Sequence, residues 1–115
     1  MAAGSLALLA GALLASSGPI TDVAWTRLPT AEEMVRHTPR RPLPAPPGHA
    51  TIECVVSPNG LLTDCVIVKE GPDGWGYGDI AIKVSRYFRA AAVTKSGEPA
   101  AGRRVRVPMV FKAPQ

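Results

Sequence analysis

Two cysteines flank a Pro-Asn-Gly turn in the stretch CVVSPNGLLTDC, residues 54 to 65, and nothing else in the chain constrains its fold as tightly. Before the turn, ATIECVVS alternates, with Ala50, Ile52, Cys54 and Val56 on one face and Thr51, Glu53, Val55 and Ser57 on the other. After it, LLTDCVIVKE returns as a second strand, so residues 50 to 70 read as a β-hairpin. With Asn59-Gly60 as a two-residue loop, Pro58 faces Leu61, Val56 faces Thr63 and Cys54 faces Cys65. Cross-strand Cα atoms lie about 4.5–5.5 Å apart, within the range a disulfide accepts. A longer loop or a bulge moves the register by one residue and still leaves the thiols close.

The chemistry of the pair depends on compartment. An exported chain would join Cys54 to Cys65; a cytosolic one would bury two small side chains. Closing a loop of about a dozen residues contributes roughly 2–3 kcal/mol, a large share for a small domain. A metal site needs further ligands, and only His37 and His49 exist, at no zinc-like spacing. A redox centre would show a CxxC pair or an electropositive thiol, whereas Glu53 and Asp64 stand beside these cysteines.

The start of the chain points to export. An apolar run from Leu6 to Ala15, broken only by Gly11, is shorter than the roughly 20 residues a spanning helix needs. It suits the core of a secretory signal, with Ala15 and Ser17 as the small residues before Gly18. No Lys or Arg precedes the run, so the other reading is a truncated anchor, or a start codon further upstream. The expected divisions are a signal peptide or short anchor at 1–17, a leader at 18–47 and a domain at 48–115. In the leader, Thr30 and Glu33 match a capping box that would open a short helix over Ala31 to His37. Five prolines from Pro39 to Pro47 then predict an extended, polyproline-type linker.

Beyond the hairpin, GPDGWGYGD is a glycine-rich loop. Asp79 is a candidate N-cap for a helix with Ile80, Val84 and Phe88 on one face. KSGEPAAG is a turn. RRVRVPMVFK alternates Val105, Val107, Met109 and Phe111 against Arg104, Arg106, Pro108 and Val110, which predicts a last strand with one basic face. Pro108 has no N–H to give to a ladder, so that side should be a sheet edge. The predicted fold is a small α+β domain of order β-β-α-β, an antiparallel sheet packed on one helix. Aromatics make up 5% of the chain, so Val, Ile, Leu and Ala should build the core.

Net charge is +4, and eight basic residues with a single acid, Glu98, lie between Lys83 and Lys112. Such a tail can meet an acidic peptide or an anionic polymer, or serve as a solvated face. Phe88 falls on the apolar helix face and export argues against a nucleic-acid partner. GWGYGD lacks the GK[ST] of a phosphate loop, and only one strand follows it. Ser57, Ser85 and Ser96 have no evident His and carboxylate partners, so neither an enzymatic activity nor a cofactor is expected.

Taken in order, GHATIECVVSPNGLLTDCVIVKEG, a glycine-containing loop, AIKVSRYFRAAAV, TKSGEPAAG and VRVPMVFK resemble the C-terminal domain of the TonB energy-transducer family over residues 48 to 112. The preceding WTRLPTAEEMVRHTP is similar to the lead-in of short exported relatives. Many relatives follow the helix with an aromatic-x-Pro-Ala step, where this chain has Ala90-Ala91-Ala92-Val93. The resemblance implies a periplasmic domain whose last strand takes up the TonB-box peptide of an outer-membrane receptor, or another envelope protein, by β-augmentation. Carried onto this chain, the binding edge runs from Arg104 to Val110. Val105, Val107 and Met109 would pack inward; Arg104 and Arg106 would meet acids on the peptide or guard the edge; Val110 completes the strand. Edge strands of this kind also offer pairing to a second copy. The other reading is a structural envelope domain that binds anionic polymer or self-associates without transducing energy.

Overall fold

The computed structural model describes residues 18–38 and 46–112. The expected signal segment and most of the proline-rich linker lie outside them. A short strand β1 (Trp25–Arg27) and helix α1 (Ala31–Arg36) precede strand β2 (Gly48–Val56) and strand β3 (Leu62–Gly71). Helix α2 (Tyr77–Val84) runs into a 3₁₀ turn (Ser85–Tyr87), followed by β4 (Arg89–Ala90) and β5 (Arg104–Phe111). The main sheet is antiparallel with order β3-β2-β5, and β1 pairs with β4 in a small second sheet. This is a small α+β domain whose main-sheet strands and longer helix follow the order expected from the sequence.

Alternation decides which face is covered. Ala50, Ile52, Cys54 and Val56 of β2 and Val105, Val107, Met109 and Phe111 of β5 are all buried. Helix α2, with Ile80, Ala81 and Val84 in the same core, lies over β2 and β3 and reaches β5 through Tyr77 on Phe111. Their neighbours Arg104, Arg106, Pro108 and Val110 remain exposed on the other face. The core is more aromatic than the composition suggests. Tyr77, Phe88 and Phe111 are buried, and Trp25, Trp75 and Tyr87 pack against the same cluster. Two ring pairs fix the ends of the helical segment: Tyr77 stacks on Phe111 at 5.2 Å, and Trp25 meets Phe88 edge-on at 5.0 Å. Such pairs contribute about 0.5–1.5 kcal/mol beyond the area they bury.

The hairpin differs from expectation at its tip. The loop has three residues, Pro58 to Gly60, because Ser57 pairs with Leu61 (N–H to carbonyl, 2.8 Å). Gly60 has φ +84, and a Cβ there would strike the carbonyl of Ala90, whose own N–H donates to Gly60. A type I turn followed by a left-handed residue is the usual three-residue solution. The register near the tip is therefore one residue off, with Val56 opposite Leu62 and Val55 opposite Thr63. A bulge then restores the predicted count: Asp64, at φ +52, is an extra residue on β3, and Glu53 faces Val66. Cys54 and Cys65 come together as a disulfide with Cα atoms 4.1 Å apart. A second bulge at Val68 separates the pairs Ile52–Ile67 and Thr51–Lys69.

Of the two helix starts, one follows expectation and the other does not. Thr30 and Glu33 form the capping box, with Thr30 Oγ1 accepting from the Glu33 N–H (3.1 Å) and Glu33 Oε1 from the Thr30 N–H (2.9 Å). Asp79 is not an N-cap: α2 begins two residues earlier, after Gly76, and Asp79 sits in its first turn. The cap comes from another element, because Glu70 of β3 accepts the Gly78 N–H at 3.0 Å. A carboxylate at that end also opposes the partial positive charge of the helix start.

Residues 18–27, assigned to a leader by sequence, pack on the domain. Ile20 and Val23 are buried in the main core, and β1 carries Trp25 onto Phe88. Asp22 accepts from the Ser96 hydroxyl (2.6 Å), while its own carbonyl accepts the Lys95 N–H (2.9 Å). The Ser96 hydrogen bond holds the Asp22 carboxyl below its ordinary value, and the Arg27 guanidinium does the same for Glu33.

Two outcomes follow for stability. Replacing both cysteines with Ala should lower unfolding free energy by about 2–3 kcal/mol, and reductant should lower the wild type equally while leaving the variant unchanged in urea titrations. Both carboxyls have depressed values in the folded state, so their contribution is complete above about pH 4.5. It disappears as pH falls through the depressed values. Protection of the amides across 18–36, taken relative to intrinsic exchange at each pH, should therefore fall in acid before protection in β2 does, and Asp22→Asn with Glu33→Gln should flatten that dependence.

Candidate functional site

The two open edges of the main sheet are built differently. β3 is bulged twice, at Asp64 and at Val68, so its outward main-chain groups are out of step with any straight partner. β5 pairs with β2 without a break from Gly48–Phe111 to Val55–Arg104. A regular edge is the one that can template a further strand.

Hydrogen-bond direction on β5 follows from its start. The Val56 N–H donates to the Arg103 carbonyl (2.9 Å) and the Gly102 N–H to the Val56 carbonyl (2.7 Å), so Arg103 faces β2. Main-chain groups alternate along an antiparallel strand. Val105, Val107, Met109 and Phe111 therefore also point to β2, and Arg104, Arg106, Pro108 and Val110 point to the open side. Pro108 thus sits where its missing N–H costs no ladder bond. The sequence expectation that Pro108 marks an edge is met, because β5 is the outer strand.

The open side is partly occupied at its beginning. Ile20 forms a parallel bridge with Val105, its N–H donating to the Arg104 carbonyl at 2.8 Å. Beyond this bridge, no other strand pairs with that side of β5 among the described residues. Of the edge predicted from sequence, Arg104 and Val105 already meet the chain's own N-terminal segment. Arg106, Pro108 and Val110 present the remaining outward groups. Val105, Val107 and Met109 are buried, as their alternation implied.

Both arginines of the edge meet an acid of the neighbouring strand. Glu53 of β2 takes both: Arg104 Nη1 lies 3.0 Å from its Oε2 and Arg106 Nε 2.9 Å from its Oε1. Glu53 faces Arg106 directly and Arg104 diagonally, a relation hidden until the register is known. Each guanidinium is about half exposed, at 49% and 53%, so a second acid can still approach. Exposed pairs of this type contribute about 0–1 kcal/mol. Beside them, Thr21, Thr51, Val68, Lys69, Arg106 and Pro108 surround a shallow concavity on the outer face of the sheet.

At the far end of β5 the edge meets α1. Met34 and Val35 face Tyr77, Val110, Phe111 and Lys112 across a mainly apolar groove of about 280 Å³. A second cluster ties α1 to the 3₁₀ turn: His37 Nε2 and Tyr87 Oη are 2.9 Å apart, and Arg27 donates to the Tyr87 carbonyl (2.7 Å) while lying over its ring. Sequence reading missed the groove because α1 was assigned to a leader outside the domain.

The three serines weighed as nucleophiles each hold a structural hydrogen bond. Ser57 Oγ accepts the Leu61 N–H, Ser85 Oγ donates to the Ile82 carbonyl and Ser96 Oγ donates to Asp22. Among the described residues, no three His, Cys, Asp or Glu side chains converge as metal ligands. Nor is any helix among them long and apolar enough to cross a membrane.

The edge assignment has a direct check. Pro108→Ala should change stability by less than about 1 kcal/mol, because the new N–H points outward. Val107→Pro should cost about 1–3 kcal/mol, because it removes a ladder donor and leaves a β2 carbonyl unpaired. A clear gain in stability from Pro108→Ala in thermal or urea unfolding, with little cost from Val107→Pro, would mean that the hydrogen-bond direction is reversed. Compared with protein-family models the chain matches none, and no curated protein matches it.

Proposed function

We propose that this chain is a periplasmic TonB C-terminal-like binding domain that takes an extended peptide of an outer-membrane receptor, or of another envelope protein, onto the open side of β5. Transport across the outer membrane is the context of that binding, and no catalytic step is assigned to the domain. The observation that carries the reading is the contrast between the edges: β5 is regular along its length, whereas β3 is broken by two bulges. The resemblance of residues 48 to 112 to the TonB family supplies the partner class. The disulfide between Cys54 and Cys65 fits an oxidising compartment.

In this mode main-chain bonds provide most of the affinity and flanking side chains choose the partner. The Ile20 bridge restricts an incoming strand to the stretch from Arg106 onward, so few main-chain bonds are available. Affinity should accordingly be modest. The basic concavity around Lys69 and Arg106 favours a second reading, in which anionic envelope polymer is bound without an added strand.

Nuclear magnetic resonance titration separates the two. Extended receptor-type peptides should shift the amides of Arg106, Val110 and Lys112 saturably, and the shifts should survive about 0.5 M salt, where the Debye length has shrunk to a few ångströms. Shifts confined to Thr51, Lys69 and Arg106 that vanish with salt and ignore peptide sequence would transfer the function to polymer binding.

A further inference from the structure

The groove between α1 and the end of β5 is continuous with the open edge, because Val110 belongs to both. A strand added beside β5 alternates its side chains between the two faces of the sheet. On the inner side, level with Phe111, the next side chain would enter the groove walled by Met34 and Val35 of α1 and floored by Tyr77. At about 280 Å³ the space falls just below the roughly 300–1,000 Å³ typical of small-molecule sites, a size suited to one or two side chains. Val35 and Val110 are each 65% exposed, large apolar side chains that no other described residue covers more fully. Lys112 stands at the same end and adds a positive charge where the groove opens.

We propose that this groove is the selectivity pocket of the edge site, taking one bulky aliphatic or aromatic side chain of an extended partner peptide that carries an acidic residue toward Lys112. The inference rests on strand addition at β5 and adds to it a requirement on peptide sequence. Helix α1 is then a recognition wall, held in place by the Arg27–Glu33 ion pair at 2.6 Å and by His37 and Arg36 on Tyr87.

The test uses the oxidised full chain and two synthetic octapeptides. One alternates Thr with Ile and ends in Glu; the other has Ser in place of every Ile. The Ile peptide should shift amides in both β5 and α1, and Val35→Glu should weaken it by about tenfold, the loss expected for one apolar side chain in a pocket. Val35→Ser should give a smaller loss in the same direction, and the Ser peptide should bind weakly and be indifferent to both variants. Val66→Glu, an exposed site on β3, should leave affinity unchanged. If Val35→Glu keeps affinity within about twofold while the β5 shifts persist, the pocket is refuted and strand addition stands. If neither peptide shifts β5, strand addition fails and the pocket with it. Two further results would overturn the proposal by naming another occupant. One is a dimer in sedimentation velocity that Val35→Glu dissociates. The other is much tighter peptide binding when residues 39–45 are replaced by Gly and Ser.

Discussion

The central strand β2 is the constraint on which the other elements depend. It is paired on both edges, to β3 and to β5, and its inner face is buried from Ala50 to Val56. A strand with no free edge fixes two registers at once, and each register places a chemically distinct partner. On one side it brings Cys65 to Cys54; on the other it sets Glu53 between Arg104 and Arg106. A slip of one residue on either side would turn buried Val and Ile to solvent, so the covered face locks both registers together.

Because only one face of the sheet is covered by α2, the domain is thin and must gather apolar surface from elsewhere. It does so with all six aromatic residues and with the N-terminal segment. Ile20 and Val23 fill the core beside β5, while Trp25 closes on Phe88. The same segment adds a bridge to the start of β5. Stability and the proposed binding are coupled there, since the residues that complete the core also occupy the start of the β5 edge.

The two edges differ in backbone geometry, bulged on β3 and regular on β5. Bulges on β3 discourage pairing with other chains, although Val66, Ile67 and Val68 are exposed along it. On β5 protection comes from Pro108 and from charge, with Arg104 and Arg106 neutralised in part by Glu53. Charge and proline deter a flat, permanent association while leaving Val110 and its neighbours able to accept a short strand. The proposed function uses this difference, and the groove against α1 would give it selectivity.

Period-2 alternation, turn chemistry and the capping box are local, and sequence alone determined them. They placed three strands, a short helix opening at Ala31, the buried face of β5, the edge at Pro108 and the pairing of Cys54 with Cys65. The features that needed the tertiary structure join residues far apart in the chain. Glu70 displaced Asp79 as the cap of α2 because a strand delivered its carboxylate there. Ile20 reached the edge of β5, Glu53 met two arginines some fifty residues away, and α1 came to border Val110. At the hairpin tip, Ala90 from another element donates its N–H to Gly60. The hydrophobic pattern of a segment records which side is buried; it does not record which distant segment covers it. The candidate site is made from that second kind of information.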